Sequence, residues 1–195
     1  MAKAENLNTS GEQNNGADEE SAAERLIRLL VDRSMYLIAA ESCTAGLVAE
    51  IITRIPGASA CFWGSFVCYT PRAKMQMLGV DEKLLFEYGA VSRETARAMA
   101  LGALEKSGAD IAVSVTGVAG PGGDGSGLAP GTVWIATALR SNKAGCRTAE
   151  SAEAVEFYFS GDRNRVRQQA ARKALEQITI RIEAFSKLQF LKNPD

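Results

Sequence analysis

The chain contains no histidine. That absence excludes Ser-His-Asp and Cys-His catalysis, histidine-bearing zinc sites and imidazole general acid–base chemistry, because imidazole is the group that ordinarily titrates near neutral pH. Any enzyme built on this sequence must take its base from another residue type. An excess of charge of one sign is lacking too. With 22 basic and 23 acidic side chains the formal net charge is -1, so no global field gathers a polyanion and there is no strong case for a nucleic-acid partner. No apolar run approaches the ~18 residues needed to cross a bilayer, and the N-terminus is acidic and polar, unlike a secretory signal. The expectation is a cytoplasmic protein with no membrane partner. Cys43, Cys61, Cys68 and Cys146 lack C-x-x-C spacing and lie in or beside apolar segments, the pattern of reduced, buried thiols rather than of a disulfide or metal framework. No metal and no cofactor is implied.

What is present is enough for one compact domain, at roughly 150 residues per domain, with length to spare at one end. Residues 1–20 hold five acids, one lysine and no aromatic or β-branched apolar residue. They bury too little surface to offset ordering entropy, and a disordered acidic tail is expected there, followed by a single domain over 21–195. Leu26, Leu29 and Leu30 recur at helical spacing, and 36–40 reads as a buried strand. Thr44 to Ile55 carries Leu47, Val48, Ile51 and Ile52 on one helical stripe and stops at Pro56-Gly57. Phe62 to Tyr69 reads as a strand, and Thr70-Pro71 supplies a cap and first residue for a short helix. Further helices are expected over 81–88, from Ser92 to Gly108 and from Asp162 toward Phe185. Strands are expected over 111–115, 132–139 and 154–159. This alternation predicts an α/β fold: a three-layer α/β/α sandwich around a mixed, largely parallel sheet.

Ligands of such sheets gather beyond the carboxyl ends of the strands, so four turns matter. In Glu41-Ser42-Cys43-Thr44-Ala45-Gly46, Ser42 is a candidate nucleophile or anion ligand near the N–H groups of the following helix; alternatively Ser42 or Thr44 simply caps that helix. In the second turn, Tyr69 and Lys74 can point to one mouth. Without histidine a partly desolvated lysine is the natural base for a serine, since burial lowers its pKa, and a tyrosine hydroxyl can relay the proton. The other reading is a solvated lysine and a core tyrosine. Thr116-Gly117-Val118-Ala119-Gly120 opens a loop with seven of the 18 glycines. It lacks the GK[ST] ending of a P-loop and joins two strands, so it is either a flexible connection or an anion nest with Thr116 as a donor. Asp124 within it stands alone and suggests no metal. Last, Arg163, Arg165 and Arg167 crowd the positive end of a helix, where cations are disfavoured by a few tenths of a kcal/mol each. A bound anion would explain them; so would an exposed arginine face with Asp162 as the cap.

The segments AESCTAGLVAEIITRIPGASACFWGSFVCY, YTPRAKMQMLGV, GAVS, VSVTGVAGPGG, GTVWIA and FSGDRNRVR, in this order over residues 22–185, resemble the CinA C-terminal domain family, the nicotinamide-nucleotide amidases of the PncC type. The resemblance implies a three-layer α/β/α fold and hydrolysis of the carboxamide of nicotinamide mononucleotide to nicotinate mononucleotide and ammonia, a step of NAD salvage. It implies Ser42 as nucleophile, Tyr69 and Lys74 as its activating pair, backbone N–H groups near Thr44 as the oxyanion site, and Thr44, Thr116, Gly117, Gly120 and Arg163 as substrate-binding residues. A homodimer is implied as well. Two positions depart from the family pattern. Ala45 stands where the family usually has a glycine, and Thr70-Pro71 replaces a segment that commonly carries asparagine. The added methyl would crowd an oxyanion site, and Pro71 removes one backbone donor. A non-catalytic nucleotide-binding or protein-interaction module, in keeping with the competence association of the family name, is the alternative function.

Overall fold

The computed structural model describes residues 22–192, except 124, 126, 144, 145, 150 and 151. The acidic segment 1–20 and Asp124 lie outside the described residues. Helix α1 (22–32) leads into strand β1 (Leu37–Glu41), followed by α2 (Leu47–Thr53), β2 (Phe62–Val67), α3 (Pro71–Leu78), α4 (Glu82–Tyr88), α5 (Arg93–Ser107), β3 (Ile111–Gly117), β4 (Thr132–Lys143), β5 (Cys146–Ala149), β6 (Glu153–Tyr158) and α6 (Arg163–Lys192). The sheet order is β2-β1-β3-β4, with β6 and β5 both pairing β4. β1 pairs in parallel with both β2 and β3, whereas β4 is antiparallel to β3 and to β6. Strands β2, β1, β3 and β6 therefore all run one way, and the sheet is mixed and largely parallel, as expected.

The two faces differ in grain because side chains alternate along each strand. Toward α1, α2 and α6 the sheet presents Leu37, Ile111, Val113, Val115, Val133, Ile135 and Leu139; toward α3, α4 and α5 it presents mainly Ile38, Ala40, Ala112, Ala136 and Ala138. The small-residue face lets α5 approach closely through Ala96, Ala100 and Ala103, and the buried Ser114 hydroxyl donates to the Ala96 carbonyl at 2.6 Å. All five residues of β1 are buried. That continuous burial is what a central parallel strand requires.

The expected helix from Thr44 begins only at Leu47, because 42–46 form an irregular turn with Ala45 at φ 51° and Gly46 at φ 99°. The short helix over 71–78 is capped as expected: the Thr70 side chain accepts from the Ala73 N–H, and Pro71 occupies the first turn. Its nitrogen needs no partner there, so this departure from the family pattern costs no hydrogen bond. Strand β4 extends past Leu139 and pairs with β5, a strand that the sequence did not suggest. Its four residues, Cys-Arg-Thr-Ala, offer no apolar alternation to read.

Glu41 of β1 is level with Val67 of β2 and Val115 of β3, and Val133 of β4 with Phe157 of β6. All four turns singled out above therefore lie along one edge of the sheet, and β1 is its switch point: the chain leaves β1 for β2 on one side and returns to β3 on the other. The helix carrying Lys74 is located by a close approach. A Cβ on Gly102 of α5 would lie 2.0 Å from the Leu78 carbonyl oxygen at the end of α3. Gly102→Ala is accordingly expected to lower stability by about 1–3 kcal/mol through overpacking, measured as a lower urea midpoint; an unchanged midpoint would show that the α3–α5 contact is not tight.

Candidate active site

Lys74 is the largest fully buried side chain among the described residues. It enters the interior from α3 at the carboxyl edge of the sheet. Its Nζ donates to Ser42 Oγ at 2.7 Å and to the Cys68 carbonyl at 3.1 Å, and it has no carboxylate partner among the described residues. Burial lowers its pKa from the ordinary lysine value, opposed only by the neighbouring Cys68 and Cys43 thiols. An amine without a counter-ion in this position favours its neutral form. One N–H then serves the Cys68 carbonyl, and the lone pair is free to face the Ser42 hydroxyl.

Ser42 follows directly on β1 and is 7% exposed. Its N–H donates to the Val115 carbonyl at 2.9 Å, which continues the β1–β3 ladder by one residue and fixes the serine relative to the sheet. Neither Ser42 nor Thr44 caps α2. That task falls to Glu41, a fully buried carboxylate that accepts from the N–H groups of Gly46 (2.8 Å), Val48 (3.0 Å) and Ala49 (3.1 Å) and from Ser65 Oγ (2.9 Å). The N–H groups at the start of α2 are thus already satisfied by this side chain. They are therefore not the free donors expected beside Ser42.

Two donors next to Ser42 remain. The N–H groups of Cys43 and Thr44 meet no carbonyl among the described residues. The Thr44 hydroxyl is fully buried and has no hydrogen-bond partner. Cys43, Cys61 and Cys68 are free and buried. Desolvation pushes the Cys43 thiol up to about 12 and also raises Cys68, so neither competes with Ser42 as a nucleophile.

The remaining expected residues divide into two groups. Tyr69 is 55% exposed, and its hydroxyl accepts from Arg163 Nη2 at 2.8 Å, while Arg163 Nη1 donates to the Gly120 carbonyl at 3.0 Å. Arg163 thereby joins the second turn, the glycine-rich loop and the start of α6 at one mouth. Tyr69 makes no hydrogen bond to Lys74; the arginine holds it. Gly120, at φ 86°, contributes a carbonyl rather than an N–H. Thr116 and Gly117 are engaged in contacts within the fold. The buried Thr116 hydroxyl donates to the Ala90 carbonyl at 2.7 Å, which commits its only proton to the 89–92 turn. At Gly117 a Cβ would lie 2.7 Å from the Thr132 carbonyl oxygen, so its glycine serves the β3–β4 contact.

Two residues escaped the sequence reading as parts of this site. Glu41 reads as the first residue of a turn but is the last of β1. Arg167 was noted only for its position on α6, yet its Nε donates to the Cys43 carbonyl (3.1 Å) and its Nη2 to the Thr44 carbonyl (2.9 Å). Asp162 caps α6 through the Arg165 N–H. Among the described residues, Arg163 and Arg167 are thus held by neutral carbonyls and a phenol.

A serine hydrogen-bonded to a buried lysine at the switch point of an α/β/α domain has the makings of a nucleophile–base pair. Residues 19–182 match the CinA C-terminal domain. A CinA-like protein of Geobacter metallireducens is 44% identical over 165 residues, covering 85% of this chain and 38% of that protein. The chain spans about two fifths of the length of the curated relatives it matches. Among solved structures, the competence/damage inducible protein CihA of Agrobacterium tumefaciens superposes with a TM-score of 0.73 at 40% identity, covering 85% of this chain and 96% of that one. A CinA superfamily protein of Klebsiella pneumoniae gives 0.78 at 31% identity, covering 85% and 98%. The chain belongs to the CinA C-terminal domain family. No helix among the described residues is long and apolar enough to cross a membrane.

Two stability predictions follow from this geometry. Ala45 occupies the left-handed region that its glycine counterpart would enter without strain, so Ala45→Gly is expected to stabilise the fold by up to about 1 kcal/mol, seen as a raised urea midpoint; destabilisation would show that the alanine methyl is packed favourably. For Lys74, the unfolded chain binds more protons than the fold between the lowered native pKa and the ordinary value near 10.4. The stability that its burial removes is therefore recovered as pH rises through that window. The stability of the native chain relative to Lys74→Met should increase between neutral pH and about pH 10; a pH-independent difference would mean that Lys74 titrates normally.

Proposed function

We propose that this domain hydrolyses a carboxamide, with Ser42 as nucleophile and Lys74 as its base. The observation that carries the proposal is the 2.7 Å contact between Ser42 Oγ and the buried, counter-ion-free Lys74 Nζ. Serine is unreactive at its own pKa and needs a base within hydrogen-bond reach. A lysine whose neutral form is favoured by burial provides one without histidine.

The substrate we propose is nicotinamide mononucleotide, on the resemblance of the ESCTAG, Y-x4-K and SGDR segments to the PncC-type amidases. Ser42 Oγ attacks the carboxamide carbon as its proton passes to Lys74 Nζ. The carbonyl oxygen becomes an oxyanion, stabilised by the Cys43 and Thr44 N–H groups. The Lys74 ammonium returns the proton to the amide nitrogen, the C–N bond breaks and ammonia leaves. Water, deprotonated by the same amine, then attacks the acyl-enzyme ester and releases nicotinate mononucleotide and the Ser42 hydroxyl.

The Thr44 hydroxyl, buried and without a partner, is proposed to bind the substrate beside the reacting carbon. Tyr69 accepts from Arg163, which leaves its own proton free to be donated to substrate at the mouth. This role replaces that of a relay to Lys74. The remaining N–H donors of the exposed Arg163 suit the ribose phosphate, since guanidinium and phosphate pair in a fixed geometry.

Ammonia release from nicotinamide mononucleotide tests the proposal. Ser42→Ala and Lys74→Met are each expected to reduce kcat by about a thousandfold or more. In the native chain, kcat should rise with pH through one ionisation whose midpoint lies below about 10.4, the ordinary lysine value. Binding of the mononucleotide without ammonia release would instead favour a non-catalytic nucleotide-binding module. Undiminished turnover by Ser42→Ala would exclude the serine mechanism.

A further inference from the structure

The nucleophile turn is gripped from both ends by charged side chains, and one of them bears on the oxyanion site. Glu41 holds the N–H groups of Gly46, Val48 and Ala49. Arg167, which reaches across from the second turn of α6, holds two consecutive carbonyls of Cys43 and Thr44 with Nε and Nη2 of one guanidinium. The carbonyl of Cys43 and the N–H of Thr44 belong to the same peptide group. The peptide is trans, since the cis bond of the described chain is Gly120–Pro121, so the N–H points opposite to the carbonyl. Fixing the carbonyl toward α6 fixes the Thr44 N–H away from α6. A cation on the oxygen also polarises the amide, which makes the N–H a stronger donor. That N–H meets no carbonyl, and the Thr44 hydroxyl on the same residue is buried without a partner.

We infer that Arg167 is a positioning residue for the oxyanion site: it orients and polarises the Cys43–Thr44 peptide so that the Thr44 N–H faces the developing charge on the substrate. The inference rests on the Ser42–Lys74 reading of the site. It also accounts for a cation at the positive end of a helix, where its charge is otherwise unfavourable. Arg167 makes no hydrogen bond to Ser42, and its action passes through the two backbone carbonyls that it holds. An oxygen that becomes negative only in the transition state gains more from this donor than the neutral carbonyl does, so the effect belongs in kcat and not in KM.

Arg167→Met and Arg167→Lys, compared with the native chain, test the inference in two assays. In the first, kcat for nicotinamide mononucleotide should fall about tenfold or more in Arg167→Met, with KM within about threefold and the pH midpoint unmoved. Arg167→Lys, which keeps the charge and can reach one carbonyl, should recover part of the loss. The second assay needs no assumption about the natural substrate. Phosphonylation of Ser42 by a fluorophosphonate, in which the serine oxygen displaces fluoride from phosphorus, develops negative charge on the phosphoryl oxygen in the same site in its transition state, and its rate should fall by about the same factor in Arg167→Met and recover in part in Arg167→Lys. Thermal unfolding confirms that each variant is folded at the assay temperature, and rates are taken per folded molecule. Equal phosphonylation rates in the native chain and Arg167→Met would overturn the inference, as would a change in KM alone. A native chain that reacts with the fluorophosphonate but releases no ammonia would refute the substrate proposal, and the Arg167 comparison would still decide the role of this residue.

Discussion

The site depends on an amine kept out of water without a counter-ion. Desolvating an ammonium is costly, and a buried lysine commonly either pairs with a carboxylate or shifts toward its neutral form. Lys74 meets a serine hydroxyl and a carbonyl instead, and the nearby buried acid, Glu41, is saturated by three backbone N–H groups and a serine hydroxyl. The separation matters chemically. An ion pair with Glu41 would stabilise the ammonium and remove the base. By giving Glu41 to α2, the fold keeps this side chain occupied while leaving Lys74 without a salt-bridge partner among the described residues.

The architecture around this amine serves its placement. β1 ends at Glu41, so one residue anchors the sheet edge and caps the next helix, and Ser42 follows with its N–H still on the β3 ladder. α3 is capped by Thr70 and seated against α5 where Gly102 admits the Leu78 carbonyl, which brings Lys74 inward beneath the Cys68 carbonyl. α6 closes the arrangement from the opposite face: Arg163 ties Tyr69 to the glycine-rich loop, and Arg167 ties the nucleophile turn. Groups far apart in sequence meet because parallel strands deliver their carboxyl ends to one edge.

Much of this was legible in the residues. Apolar periodicity and the Thr70-Pro71 and Gly108 signals locate the main helices and strands, and the lack of histidine directs attention to Lys74 as a base. Charge-bearing groups whose partners are backbone atoms were not legible. Glu41 looks like a turn residue because local patterns do not reveal that a carboxylate will be buried under a helix start. Arg167 looks like one of three surface arginines because its partners lie 123 and 124 residues away. Thr116 and Gly117 look like ligand donors by their place in a glycine-rich segment, yet tertiary contacts to Ala90 and to β4 occupy them. Strand β5 carries no apolar alternation. The meaning of Ala45 becomes clear only with its φ of 51°, which explains why glycine suits the position.

The protonation state of Lys74 is the quantity on which this account turns. The most direct measurement is an NMR titration of 13C-labelled lysine, with the Lys74 signal identified by its loss in Lys74→Met. The account predicts a midpoint below the ordinary value near 10.4, coincident with the midpoint of the rate of Ser42 phosphonylation. A Lys74 that remains an ammonium across the pH range in which Ser42 reacts would contradict it.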